Sequence, residues 1–445
     1  MSREFAGLFC ARGGGMTGAA GSPGVSHNYL YGNYSAHCAA EYAKTAELGE
    51  LDFSLIDAER ERLEAIRANA DGGDLRPVTI RRAIQNAAGS AMGIIRTTEA
   101  LEAARDELAR IRKEDLPRQA VGSPSLAYNM EWKEAIENYN LLTIAELSVL
   151  ASLTREESRG SYLRPEFPAR ATIGRALWPS RAPRAPMRPR KLSCRPSIGS
   201  PSTGRRWPNS KEHAMKITVT RFDPSQDASP YEQSFEVPYR DNITALEALM
   251  HIYENEEPIA FDYSCHGRSC GRCAMMVDGE PKLACITPLT DGAHDIAPLE
   301  GYPVLHDLIV DKTQRHLATS ARYNRVRFDD MDRDEINQFD MGAQEKVYSI
   351  EWCTRCGRCS SVCPAMQASA DYVGPMTMLA TAYRYYDPYD QADRVVQAVQ
   401  DGLYRCILCG QCTEVCDSAE IDHLTYWNDL RAAAEERNLK PRWAK

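Results

Sequence analysis

Twelve of the chain's fifteen cysteines fall after residue 260 in three tight groups, and nothing else in the sequence restricts the possible folds as sharply. The first group is Cys265, Cys270 and Cys273, followed by Cys285. Its C-x4-C-x2-C…C spacing is that of a plant-type [2Fe–2S] site. Two irons need two thiolates each, and Gly267 and Gly271 let the backbone wrap an inorganic core with its N–H groups toward the sulfurs. The second group (Cys353, Cys356, Cys359, Cys363) and the third (Cys406, Cys409, Cys412, Cys416) both run C-x2-C-x2-C-x3-C. That is the spacing of two-cluster ferredoxins, in which the fourth cysteine of each run reaches across to the other cubane. The expected ligand sets are therefore Cys353, Cys356, Cys359 with Cys416, and Cys406, Cys409, Cys412 with Cys363. Pro364 completes the first run, and Asp417 stands where the second would carry its proline. Zinc is the alternative, but a zinc ribbon uses two separated C-x2-C knuckles and only Cys270–Cys273 in the first group has that form. Cys10, Cys38 and Cys194 are isolated and read as plain thiols.

No apolar run approaches the ~18–20 residues of a membrane span. The opening "MSREFAGLFCARGGG" lacks the basic segment, apolar core and cleavage site of a secretory signal. The expected compartment is the cytoplasm, where cysteine groups serve metals better than disulfides. Formal net charge is −9. Residues 169–214 depart from that balance, with eleven Lys/Arg against Glu212 alone, seven prolines, and only Trp178 and Trp207 as aromatics. With neither helical nor strand period the segment reads as a disordered basic linker, and nucleic-acid binding is not expected.

Before the linker, "GGGMTG" (Gly13 to Gly18) matches G-x-G-x-x-G. The following "AAGSPGVSHNYLYGNYS", with Pro23 and further glycines, is not expected to begin a helix, so the motif reads as a Gly-rich loop. Residues 78–113 and 131–160 read as helices. The second places Trp132, Ile136, Tyr139, Leu142, Leu147, Leu150 and Leu153 on one apolar face and stops at Gly160, Pro165 and Pro168. From Met215, "KITVTRF" sets Ile217, Val219 and Arg221 against Thr218 and Thr220 as a half-buried strand, and "SFEVPY" supplies a second. Thr244 and Glu247 form a capping box opening a helix with Leu246, Leu249, Met250 and Tyr253 on one face. Asp278–Gly279 is a hairpin turn between two short strands. A small α+β domain therefore runs to about residue 312, and 313–445 is helical pattern broken by the other cysteine groups.

On these motifs residues 215–445 resemble the iron–sulfur subunit of succinate dehydrogenase/fumarate reductase. The resemblance implies a β-grasp [2Fe–2S] ferredoxin domain (215–312) and an all-α two-cluster ferredoxin domain (313–445). It also implies an electron path from a flavin through the clusters to a quinone. Much of that family lacks the second cysteine of the third group and holds [3Fe–4S] there. Cys409 fills the place here, so two [4Fe–4S] clusters are expected, with [3Fe–4S] as the alternative for the second. The family's tryptophans after Cys-Pro and its histidine after the first cysteine of the third group are replaced by "AMQA" (Ala365–Ala368) and Ile407.

Residues 1–168 resemble the end of the flavoprotein subunit of the same enzyme, through "GLFCARGGGMTG" and "NLLTIAELSVLASLTREESRGSYLRPEFP". The dinucleotide-binding domain would lie before Met1. FAD is therefore expected only on a partner, and His27 and His37 as loop histidines rather than catalysts. No catalytic residue is expected in this chain. Two neighbouring subunits read as joined, with 169–214 as read-through sequence between them.

The expected function is electron transfer in a succinate/fumarate oxidoreductase, between a full-length FAD-containing flavoprotein subunit and a quinone pool. The expected partners are that subunit and either a membrane anchor or a soluble thiol/disulfide subunit. The chain is expected in the cytoplasm, peripheral on the inner face of the membrane. Two alternatives remain: a relay from another flavoprotein to a heterodisulfide-reductase-like thiol partner, and a zinc-stabilised interaction module.

Overall fold

A computed structural model of the chain describes residues 24–46, 53–68, 72–158, 163–168, 213–329 and 340–444. They divide between two compact units, one of residues 1–124 and 131–206, the other of 125–130 and 207–445. Gly13–Gly18 and nearly all of 169–214 lie outside the described residues.

The first unit is helical. Helix α1 (Gly24–Ala43) corrects the expectation that this stretch could not begin a helix. It starts directly after Pro23, and a proline at a helix start gives up no internal hydrogen bond. His27 and His37 therefore lie within a helix, not in a loop. Helix α2 (Ser54–Ala68) follows. The helix expected over 78–113 is two, α3 (Pro77–Ala91) and α4 (Thr98–Arg110), the latter running into a π-helical turn at Ile111–Asp115. The break falls where Thr97 takes an extended conformation and its hydroxyl accepts from Ala100 N at 3.2 Å, a side-chain cap that starts a new helix.

Helix α5 (Met130–Leu153) is also shorter than expected, and its buried face is a different one. Ala135, Asn138, Leu142, Ala145, Val149 and Ser152 are buried, while Leu147 and Leu150 are 60% and 54% exposed. The covered stripe repeats at three- and four-residue steps but mixes small and polar side chains, which apolar periodicity overlooks. Its polar members are tied in through their donors, although Asn138 Oδ1 is buried with no partner. Asn138 Nδ2 donates to Pro77 O at 2.9 Å and Gln119 Oε1 at 2.7 Å, and Gln119 Nε2 donates to Ala135 O at 3.2 Å. Around them α3, α4 and α5 bury Ile80, Ile84, Leu101, Leu108, Leu142 and Val149 in one core.

The second unit opens with a mixed five-stranded sheet. Strands β1 (Ala214–Arg221) and β2 (Tyr231–Pro238) pair antiparallel, with Met215, Ile217, Val219 and Arg221 turned inward. Helix α6 (Ala245–Asn255) is opened by the full capping box: Thr244 Oγ1 accepts from Glu247 N at 3.2 Å, and Thr244 N donates to Glu247 Oε2 at 3.1 Å. Leu246, Leu249 and Tyr253 are buried as expected, Met250 only in part. Strands β3 (Ala274–Val277) and β4 (Glu280–Leu283) join through Asp278 and Gly279, whose φ values of 54° and 76° are what the favoured two-residue hairpin turn requires. With β5 (Ala293–Ala297), parallel to β1, the sheet order is β2-β1-β5-β3-β4.

Two further strands, β6 (Val304–His306) and β7 (Ile309–Val310), flank Asp307, which is 1% exposed. Its Oδ1 accepts from Arg221 Nε at 3.0 Å and Phe222 N at 2.8 Å, and its Oδ2 from Ala260 N at 2.8 Å. One carboxylate thus ties β1, the segment after α6 and the second hairpin together.

From residue 313 the unit is helical: α7 (Thr313–Tyr323), α8 (Met341–Glu351), α9 (Arg358–Ser361), α10 (Pro364–Ala368), α11 (Pro375–Tyr385), α12 (Arg394–Gln400), α13 (Gln411–Glu414) and α14 (His423–Glu436). Ile350, Met378, Leu379, Ala398, Trp427 and Leu430 are fully covered at its centre. Among the described residues no helix is long and apolar enough to cross a membrane.

Candidate metal centres

The cysteine loop between α6 and β3 is held in left-handed backbone at His266 (φ 55°), Arg268 (69°) and Gly271 (65°). That winding turns N–H groups inward. Gly267 N and Cys270 N donate to Cys265 Sγ at 3.4 and 3.3 Å, and Arg268 N to Cys285 Sγ at 3.3 Å, so the distant fourth cysteine joins the loop. The Gly267 N–H is the main cause holding the Cys265 thiol below its ordinary pKa, whereas burial pushes Cys273 up to about 12. Cys265 is exposed; Cys273 and Cys285 are buried. A thiol as reluctant to ionise as Cys273 becomes a thiolate at neutral pH only against a metal that displaces its proton.

The second and third runs share one local conformation. The residue before the second cysteine and the glycine after it are left-handed in both: Arg355 (56°) and Gly357 (90°), Leu408 (55°) and Gly410 (84°). Such alternation makes a concave nest of N–H groups suited to an anionic core, and Leu408 N donates to Cys406 Sγ at 3.4 Å. Short helices α9 and α13 then carry the third cysteine of each run inward.

The runs line two separate hollows. The first, about 460 Å³ of space free of protein atoms and partly open to solvent, is lined by Cys353, Cys356, Cys359 and Cys416. The second, about 320 Å³, is lined by Cys363, Cys406, Cys409 and Cys412. Each thus has three cysteines of one run and the fourth of the other. Burial raises the Cys353 thiol to about 11 and Cys412 to about 12. A single tetrahedral zinc, with Zn–S of about 2.3 Å, needs thiolates within about 4 Å of each other. Four thiols set around a hollow of about 460 or 320 Å³ suit a multi-iron core instead.

Sequence reading missed the groups that set these loops against one another. Arg358, between Cys356 and Cys359, is 6% exposed; its Nε donates to Pro281 O at 2.7 Å and its Nη1 pairs with Asp417. Lys312 Nζ donates to Cys356 O at 3.0 Å, and Tyr302 Oη to Gly357 O at 3.0 Å. A Cβ on Gly271 would stand 2.7 Å from Thr354 O, so the first cysteine loop and the second lie back to back. On α14, His423 lines the first hollow and Trp427 the second, their rings edge to face at 5.8 Å. Burial lowers the His423 imidazole to about 4, leaving it neutral near pH 7. The only sequence signal for any of these was the aspartate at 417 in a proline's place.

Cysteine loops of this winding, one on a mixed sheet and two between short helices, define an iron–sulfur protein with a [2Fe–2S] and a [4Fe–4S] binding domain in series. Family profiles agree. A "2Fe-2S iron-sulfur cluster binding domain" matches residues 216–316, a "4Fe-4S dicluster domain" residues 349–419, and a "Fumarate reductase flavoprotein C-term" residues 81–180. The chain belongs to the family of fumarate reductase iron–sulfur subunits. It is 32% identical over 211 residues to the fumarate reductase iron–sulfur subunit of Escherichia coli, covering 45% of this chain and 86% of that one. It is 34% identical over 203 residues to a subunit of the fumarate reductase (CoM/CoB) of Methanothermobacter marburgensis, covering 45% of this chain and 40% of that protein. The chain therefore spans about two fifths of the length of the Methanothermobacter relative. Among solved structures a chain of the Mycobacterium smegmatis Sdh1 complex in the apo form matches at 21% identity and a TM-score of 0.47, over 52% of this chain and 99% of that one.

Proposed function

We propose that residues 215–445 relay single electrons between a separate FAD-bearing flavoprotein subunit and a quinone pool, through three iron–sulfur centres. On this reading a β-grasp domain (215–312) holds one [2Fe–2S] cluster on Cys265, Cys270, Cys273 and Cys285. The helical domain (313–445) holds two [4Fe–4S] clusters, on Cys353, Cys356, Cys359 and Cys416, and on Cys363, Cys406, Cys409 and Cys412. The observation that carries the reading is the pair of hollows, each lined by four thiols drawn from both runs. When bound, such clusters supply one-electron steps at potentials set by cluster type, net charge, hydrogen bonds to sulfur and exposure. The chain's own part is to hold the thiols and leave Cys265 and Cys409 exposed as the ends at which partners approach. The flavoprotein-like segment supports the partner: the FAD subunit is a full-length chain, and this one does not reduce fumarate alone. Attachment to the inner membrane face runs through partner subunits.

A second acceptor, a thiol/disulfide subunit, is favoured by the CoM/CoB designation of the Methanothermobacter relative and by Ile407. That residue is 67% exposed beside Cys406, where the family's quinone-contacting histidine is expected. Reduced protein mixed in turn with a soluble quinone and a disulfide separates the two, since only the true acceptor reoxidises it.

The test of the centres is elemental. The full chain, purified anaerobically, should be brown and carry about ten irons and ten sulfides; a colourless zinc protein overturns the reading. Cys409→Ala leaves three thiols around the second hollow. Its expected result is the loss of about one iron and a new paramagnetic signal in the oxidised protein, the mark of a three-iron core. Unchanged iron and spectra would remove Cys409 from the ligand set.

A further inference from the structure

Helix α14 brings one side chain to the second hollow whose polar atom has nothing to bond. Trp427 is fully covered at 0% exposure and forms part of the wall beside Cys363, Cys406, Cys409 and Cys412. Its indole Nε1 is buried and has no hydrogen-bond partner. An indole nitrogen donates and cannot accept, and a buried one nearly always finds an acceptor. The ring is not free to turn away. His423 stands edge to face against it at 5.8 Å, and it packs in the same core as Leu430, Met378 and Leu403. Of the residues around it, Pro364, Ala365, Pro375 and Leu424 offer no side-chain oxygen, and those of Tyr372 and Gln411, which also line the hollow, do not accept from it.

We propose that Trp427 Nε1–H donates to a sulfur of the cluster held in the second hollow and raises that cluster's reduction potential. This rests on the proposed function, because it needs a cluster there. A donor aimed at sulfur favours the reduced core, which carries one more negative charge, over the oxidised one. Trp427 is thus a positioning residue for the electron, holding it at the third centre where Cys409 is exposed to an acceptor.

The experiment is a redox titration of the full chain, followed by electron paramagnetic resonance, for the wild type and Trp427→Phe, which keeps the ring and removes the N–H. The expected result is unchanged iron content, and at fixed potential a reduced-to-oxidised ratio about tenfold lower at the second [4Fe–4S] centre, a shift of about 59 mV for one electron. The other two centres should titrate as before. Equal titration curves with full iron overturn the inference and leave the proposed function standing. A wild-type protein without iron in that site overturns both. Should the phenylalanine variant lose its cluster, the wild type labelled with ¹⁵N in its indoles decides: a nitrogen coupling on the reduced third centre, the second [4Fe–4S] cluster, is expected, and its absence overturns the inference.

Discussion

Replacing Arg358 by alanine should lower the stability of the second unit by about 2–4 kcal/mol, below the full cost of breaking a buried pair because Asp417 keeps some solvent. The side chain of Arg358 is 7% exposed and that of Asp417 31%. Its removal leaves the Asp417 carboxylate without its cation and the Pro281 carbonyl without its donor. The apparent melting temperature should fall on the order of 10 °C for a unit of this size. Asp417→Ala should cost about as much, since it strands a guanidinium that is 7% exposed with the Pro281 carbonyl as its remaining acceptor. The double variant should be little worse than Arg358→Ala, the signature of coupled partners. Melting unchanged within a degree or two in Arg358→Ala would show that the guanidinium is not a fastening between the sheet hairpin and the two cysteine runs.

Asp307→Ala should be costlier still, about 3–5 kcal/mol, because it strips the counter-charge from a buried guanidinium and the acceptor from two buried N–H groups at once. Arg221, Phe222 N and Ala260 N all converge on that carboxylate. Asp307→Asn should lose less, about 1–3 kcal/mol, because the amide preserves shape and one acceptor while giving up the charge. Asparagine also suits the backbone there, at φ 44°, as few other residues do. The measurement is loss of the visible absorption of the first centre on heating, compared across wild type, Asn and Ala. The ordering wild type, Asn, Ala is expected, and an alanine variant as stable as wild type would falsify this account of the network.

Local features are the legible ones. The alternation of Ile217, Val219 and Arg221, the Thr244–Glu247 box and the Asp278–Gly279 turn can be read because each is decided by residues a few positions apart. Helix α1 escapes such reading because a proline breaks a helix from within yet costs little at its start, and Gly32 inside the helix weakens it without ending it. The face of α5 is hidden for another reason. What covers Asn138 is a hydrogen-bond network with Pro77 and Gln119, which no pattern within the helix encodes. At the centres the cysteine spacing is eloquent and the supporting shell silent. Arg358 meets a carbonyl and a carboxylate far along the chain, and Asp307 gathers donors from two distant segments, so neither role leaves a local trace. Trp427 lies beyond the last cysteine on an ordinary amphipathic helix, and its missing partner becomes visible only once the hollow does.

The exchange of the fourth cysteine between runs has a consequence for how the protein comes together and apart. On the proposed ligand sets each centre is a staple between two stretches far apart in sequence. A staple of that reach removes more freedom from the unfolded chain than one closing a short loop. The two staples also clasp the same pair of stretches, so the first to form gathers the thiols for the second. Loading should then be all or none, with half-filled molecules scarce. Oxygen damage to either core should release both, so the protein fails as a whole instead of surviving as a relay with a broken link.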